Sequence, residues 1–149
     1  MTTETSSGIT ADVRVLSTEQ LPTPAALSES VPLSPMARDT VLSGRNQVQD
    51  ILSGKDSRFL VVAGPCSVHD EQAAIDYASR LAVLAEEVKE QILVVMRVYF
   101  EKPRTILGWK GLIYDPNLNG VYAIKEGLER ARKILLAVNE KGLPAGAEF

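Results

Sequence analysis

The chain has 149 residues, 45% of them apolar and 23% charged, which suffices for one domain with an ordinary core. A formal net charge of −3 argues against a nucleic-acid binder, because phosphate backbones are held by a broad basic surface. The single cysteine excludes an internal disulfide and suits a reducing compartment.

No apolar run reaches the roughly 20 residues of a membrane helix, so no membrane association is expected. Glu4 and Asp12 weigh against an organelle presequence, and the expected location is the cytoplasm. Residues 1–33 are rich in Thr, Ser, Pro and Glu around one alternating piece, Asp12–Leu16. They read as a mobile N-terminal arm able to dock on a neighbour. Ser34-Pro35 then signals a helix start, with a capping hydroxyl followed by proline at the first helical position. Val41, Gly44, Val48, Ile51 and Leu52 share one helical face, and Gly54 supplies the stop.

From Arg58 the pattern changes. Phe59–Ala63 is a continuous apolar run ending at Gly64-Pro65, as expected of a strand buried on both faces. Asp70 can cap a helix whose apolar positions Ala74, Tyr77, Ala78, Leu81, Leu84 and Val88 keep helical spacing. Ile92–Val98 is a second buried strand. The loop from about Phe100 to Gly120 carries Pro103, Gly108, Gly111 and Pro116, and a loop of that length is more often functional than idle. Val121, Ile124, Leu128, Ala131, Leu135 and Val138 mark another helix, stopped at Lys141-Gly142, and residues 143–149 open a third strand.

Strand, helix, strand, helix, strand is the grammar of a parallel α/β fold. Periodicity leaves open whether the sheet is doubly wound or closed into a barrel. No Gly-x-Gly-x-x-Gly or Walker loop follows either strand, which removes the usual nucleotide-binding readings. In a barrel, function sits on loops after the C-terminal ends of strands. Cys66 and the Lys102–Lys110 segment both lie there. Three strands do not close a barrel of eight, so residues 34–149 are expected to be the N-terminal portion of a barrel domain.

Cys66 follows Gly64-Pro65 in a turn where a thiolate could bind a divalent metal or act as a nucleophile; a lone cysteine is also often a small buried hydrophobe. Arg97 lies in the second strand, where a charge is costly unless paired or bound to a ligand. Near a strand end its guanidinium can grip carboxylate or phosphate with two parallel hydrogen bonds. Lys102 and Arg104 flank Pro103, which stiffens the backbone between them, and Thr105 adds a hydroxyl. His69, the single histidine, reads as a solvated or capping residue at a helix start.

Gly64-Pro-Cys-Ser-Val-His-Asp70, Met96-Arg-Val-Tyr-Phe-Glu-Lys-Pro-Arg-Thr105 and Gly108-Trp-Lys-Gly-Leu112 together resemble the class I 3-deoxy-D-arabino-heptulosonate-7-phosphate (DAHP) synthases, over about residues 38–149. The resemblance implies the first part of a (β/α)8 TIM barrel with an N-terminal extension. It also implies condensation of phosphoenolpyruvate with erythrose 4-phosphate and water, giving DAHP and phosphate, the first step of the shikimate pathway. Carried over residue by residue, Arg97 and Lys102 hold phosphoenolpyruvate and Glu148 lies near it; these three are the candidate catalytic residues. Arg104 and Thr105 hold erythrose 4-phosphate, while Trp109 and Lys110 support the loop. Cys66 becomes one of four ligands of a divalent metal (Mn, Fe, Co or Zn) that acts as a Lewis acid on the aldehyde. The family also implies a homo-oligomer reached by the N-terminal arm. The sibling synthase that uses arabinose 5-phosphate ranks below, because Lys102-Pro-Arg-Thr105 favours the four-carbon aldose. A reading from another class is a non-catalytic, truncated or partner-binding segment.

Overall fold

The computed structural model describes residues 14–15, 18–102 and 107–148. Its elements in chain order are α1 (Pro24–Ser30), α2 (Pro35–Leu52), β1 (Phe59–Ala63), α3 (Glu71–Val88), β2 (Ile92–Arg97), α4 (Ile124–Asn139) and β3 (Ala145–Gly146). The three strands form one parallel sheet in the order β1-β2-β3. Strand and helix alternate as in the first part of a (β/α)8 barrel preceded by an N-terminal extension.

The helix starts follow from local chemistry. Ser34 Oγ accepts a hydrogen bond from Ala37 N at 3.2 Å with Pro35 at the first helical position, and Asp70 Oδ1 accepts one from Ala73 N at 2.7 Å. Thr23-Pro24 repeats the signal: Thr23 Oγ1 caps α1 by accepting from Ala26 N at 3.2 Å. This short helix falls inside the stretch expected to be an arm. After it, Val31 is buried, and its carbonyl accepts a hydrogen bond from Arg132 Nε at 2.6 Å. Of the alternating piece at 12–16, Asp12, Val13 and Leu16 lie outside the described residues.

The core forms on one face of β2. Val94, Met96, Val98 and Phe100 pack against Ala74, Ala78 and Leu81 of α3 and Ala131, Ile134 and Val138 of α4. Leu93, Val95 and Arg97 alternate to the opposite face, as pleating requires. Ile92–Arg97 therefore forms the central strand, with four consecutive buried residues.

Three expectations need correction. β1 is not buried on both faces: Phe59 and Val62 are 75% and 55% exposed. Among the described residues β1 pairs only with β2, so it is an edge strand, and an apolar run cannot reveal what covers it. On α3, Tyr77 and Leu84 point outward, and the buried stripe is the narrower Ala74, Ala78, Leu81. On α4, Ile134 joins the buried Ala131 and Val138, Leu135 packs partly buried against the same core, and Val121 is an exposed residue ahead of the helix. Gly127 sets how closely α4 is seated. A Cβ there would stand 2.1 Å from the Ile113 carbonyl oxygen, so only glycine lets the helix lie this close to the preceding loop.

Arg58 ties the lower end of the sheet to its helices. Its guanidinium donates to Asp56 Oδ2 from Nε at 3.0 Å and Nη2 at 2.7 Å, to Gln47 Oε1 in α2 at 2.9 Å, and to the Lys89 carbonyl after α3 at 3.1 Å. The hydrogen bonds from Arg58 hold the Asp56 carboxyl below its ordinary range. A depressed folded-state pKa contributes stability above the unfolded value of about 3.9, and that stability is lost as pH falls through the lower folded value. We therefore expect helical circular dichroism of Asp56→Asn to fall less steeply with acidification below about pH 4 than that of the parent chain. Superimposable acid profiles would contradict this role for Asp56.

Candidate functional site

The site is built where the three parallel strands end. At the end of β1 the chain turns through Gly64-Pro65-Cys66, hard against β2. A Cβ on Gly64 would lie 2.2 Å from the Arg97 carbonyl oxygen, a backbone contact that no side-chain motion relieves. This approach brings the β1 turn under the Arg97 side chain. Arg97 Nη2 donates to the Gly64 carbonyl at 2.8 Å and Nε to the Pro65 carbonyl at 3.1 Å. Its guanidinium carbon also sits 5.4 Å from the centroid of the Tyr99 ring. These two hydrogen bonds use two of the five guanidinium N–H donors.

Beyond β2 the loop folds back on itself. Glu101 and Gly111 form an antiparallel bridge, Leu112 N donates to the Phe100 carbonyl at 2.7 Å, and Lys102 N donates to the Lys110 carbonyl at 2.9 Å. The root of the loop is thereby fixed, and Lys102 Nζ reaches Cys66 Sγ at 2.8 Å. From the end of β3, Glu148 crosses to the same place. Its Oε1 accepts from both Phe100 N and Glu101 N, each at 2.5 Å. Its Oε2 is buried and has no hydrogen-bond partner among the described residues.

Four of the expected site residues, Cys66, Arg97, Lys102 and Glu148, thus stand at the C-terminal ends of three adjacent strands. Arg104 and Thr105 lie outside the described residues. Lys110 is exposed and meets the group through its carbonyl. Trp109 is half-buried, donates from Nε1 to the Asp115 carbonyl at 2.8 Å, and meets the His69 ring edge-on at a centroid distance of 6.5 Å. His69 is exposed, and the helix cap beside it is Asp70.

Sequence reasoning overlooked two residues that shape the loop. Asp115 is buried and accepts from Asn119 N and Gly120 N, both at 3.1 Å, closing the turn before α4. Asp-Pro-Asn-Leu-Asn-Gly is a turn-forming composition that could have pointed to it. Arg130, on α4, pairs with Glu71 of α3 and donates from Nη1 to the Pro116 carbonyl at 2.8 Å. Helical periodicity carries no signal for that contact.

Chemically, the group offers two fixed cations, backbone amides and a thiol around one point. That combination suits a small, multiply charged anion. It does not by itself suit a metal: among the described residues no three His, Cys, Asp or Glu side chains gather, and a single thiol does not hold an ion.

The family model described as "DAHP synthetase I family" matches residues 30–149. The chain belongs to that family. A phospho-2-dehydro-3-deoxyheptonate aldolase of Corynebacterium glutamicum is 53% identical over 140 residues, covering 94% of this chain and 38% of that protein. A relative of the same name from Amycolatopsis methanolica is 54% identical over 136 residues, covering 91% of this chain and 67% of that protein. The solved structure of a phospho-2-dehydro-3-deoxyheptonate aldolase from Francisella tularensis superposes with a TM-score of 0.87 at 42% identity, covering 91% of this chain and 40% of that one. The chain therefore spans about two fifths of the C. glutamicum and F. tularensis proteins. Membership of this family makes it a segment of an enzyme family by descent.

Because Gly64 has no room for a side chain, Gly64→Ala is expected to push β1 from β2 and lower stability by about 1–3 kcal/mol. Chemical denaturation followed by circular dichroism reads this directly, and a midpoint equal to that of the parent chain would contradict the tight approach.

Proposed function

We propose that this chain forms the phosphoenolpyruvate-holding part of a 3-deoxy-7-phosphoheptulonate synthase. The reaction joins phosphoenolpyruvate to erythrose 4-phosphate, with water, to give DAHP and phosphate. In this reading Arg97 and Lys102 hold phosphoenolpyruvate, Glu148 stands beside it, and Arg104 and Thr105 receive erythrose 4-phosphate. The supporting observation is the convergence of Arg97, Lys102 and Glu148 on the ends of adjacent parallel strands, with Arg97 oriented by the Gly64 and Pro65 carbonyls. The C. glutamicum and A. methanolica relatives carry the heptonate aldolase name, which favours the four-carbon aldose over arabinose 5-phosphate.

The chemistry sets two demands. Both substrates are polyanions, so their repulsion has to be offset by cations already fixed in place. A guanidinium held by two carbonyls is oriented before the substrate arrives, and therefore loses little freedom on binding. Carbon 3 of phosphoenolpyruvate forms the new bond to the aldehyde carbon, water adds at carbon 2, and the phosphate leaves from the same carbon. Arg97 and Lys102 neutralise charge on phosphoenolpyruvate and set its face towards the aldehyde. A divalent ion enters this reading through Cys66 alone, as one soft donor, with its remaining ligands supplied from outside the described residues. A homo-oligomer is part of the same proposal.

The test replaces the matched segment of the C. glutamicum relative with this chain. The resulting enzyme should form DAHP, whereas the 149-residue chain alone should not. Within that enzyme, Arg97→Ala should raise KM for phosphoenolpyruvate about 10- to 100-fold, the worth of lost charge-assisted hydrogen bonds. An unchanged KM for phosphoenolpyruvate would remove Arg97 from the site.

A further inference from the structure

Glu148 is the one acidic side chain in a group otherwise suited to anions, which raises the question of what it does there. Its contacts answer in part. Both hydrogen bonds it accepts come from the backbone, at Phe100 N and Glu101 N, and both end on the single oxygen Oε1. Those two amides are the last before Lys102. The same two residues anchor the loop from its other side, since Phe100 O accepts from Leu112 N and Glu101 bridges Gly111. The backbone from which Lys102 springs is therefore clamped between β3, through Glu148, and the returning strand of its own loop.

We propose that Glu148 is a positioning residue for Lys102: through the amides of Phe100 and Glu101 it fixes where the Lys102 ammonium stands. The physical reasons are threefold. A carboxylate oxygen accepting from two amides makes two charge-assisted bonds, the strong kind. Two consecutive amides aimed at one acceptor fix the direction of the peptide planes, and with it the exit vector of the next side chain. Lys102 also needs such support, because a lysine stem has four rotatable bonds and loses considerable freedom when ordered. Without the clamp the ammonium would still be present but would no longer be held at 2.8 Å from Cys66 Sγ.

This inference rests on the reading that Lys102 holds phosphoenolpyruvate, and the experiment separates the two. The enzyme carrying this chain in the frame of its C. glutamicum relative is made as K102A, E148A and the double variant, and KM for phosphoenolpyruvate is measured for each. If Glu148 acts through Lys102, each single change raises KM about tenfold and the double variant is no worse than K102A alone. Losses that multiply would overturn the proposal, because Glu148 would then act independently of Lys102. A K102A enzyme with unchanged KM would sink the substrate assignment instead, leaving the clamp to a second measurement. That measurement is amide hydrogen exchange at Phe100 and Glu101. Glu148→Gln retains one carbonyl oxygen for both amides and should keep their protection, whereas Glu148→Ala should lose it. Equal loss of protection in both variants, or none in either, would contradict the clamp whatever the kinetics.

Discussion

The contact on which the rest depends is the backbone approach of Gly64 to Arg97. Parallel strands normally end as separate ledges, each presenting its own loop. Here the absence of a Cβ lets the first turn slide beneath the second strand's last residue. From that contact follow the two carbonyls that orient the Arg97 guanidinium, and the nearness of Cys66 to a lysine 36 residues later in the chain. Fill the gap with one methyl group, and the guanidinium, the thiol and the ammonium no longer share a position.

The second constraint is electrostatic. Two cations near one point repel each other, and an apolar core beside them makes each more costly to hold. The group answers with acceptors that carry less than a full charge: the Gly64 and Pro65 carbonyls on Arg97, the Tyr99 ring face, and the Cys66 sulfur on Lys102. Glu148, the full negative charge nearby, is turned onto backbone amides. In our reading this leaves the cations oriented yet still attractive to a substrate anion. A direct carboxylate partner on either would have satisfied it too well.

Much of this was legible in the chain before any coordinates. Ser34-Pro35 and Asp70 announce their helices because capping is chemistry between residues three apart. Thr23-Pro24 carries the same signal for α1, but it is passed over when residues 1–33 are read as an arm. Arg97 was conspicuous because a charge at the end of an apolar run needs a reason. What could not be read depends on distant partners. The exposure of β1 is decided by what lies over it, and the close seating of α4 by a carbonyl at Ile113. Arg130 meets Glu71 across 59 positions, and Glu148 meets Phe100 across 48, distances at which no local pattern survives. Arg104 and Thr105 were equally readable as motif, but they fall outside the described residues.

The most direct measurement is a crystal structure of the enzyme-length protein carrying this segment, with phosphoenolpyruvate bound. The account predicts its carboxylate or phosphate oxygens within hydrogen-bonding distance of both the Arg97 guanidinium and the Lys102 ammonium, with Gly64 and Pro65 still holding Arg97 from behind. Phosphoenolpyruvate bound elsewhere, with neither side chain in contact, would contradict it.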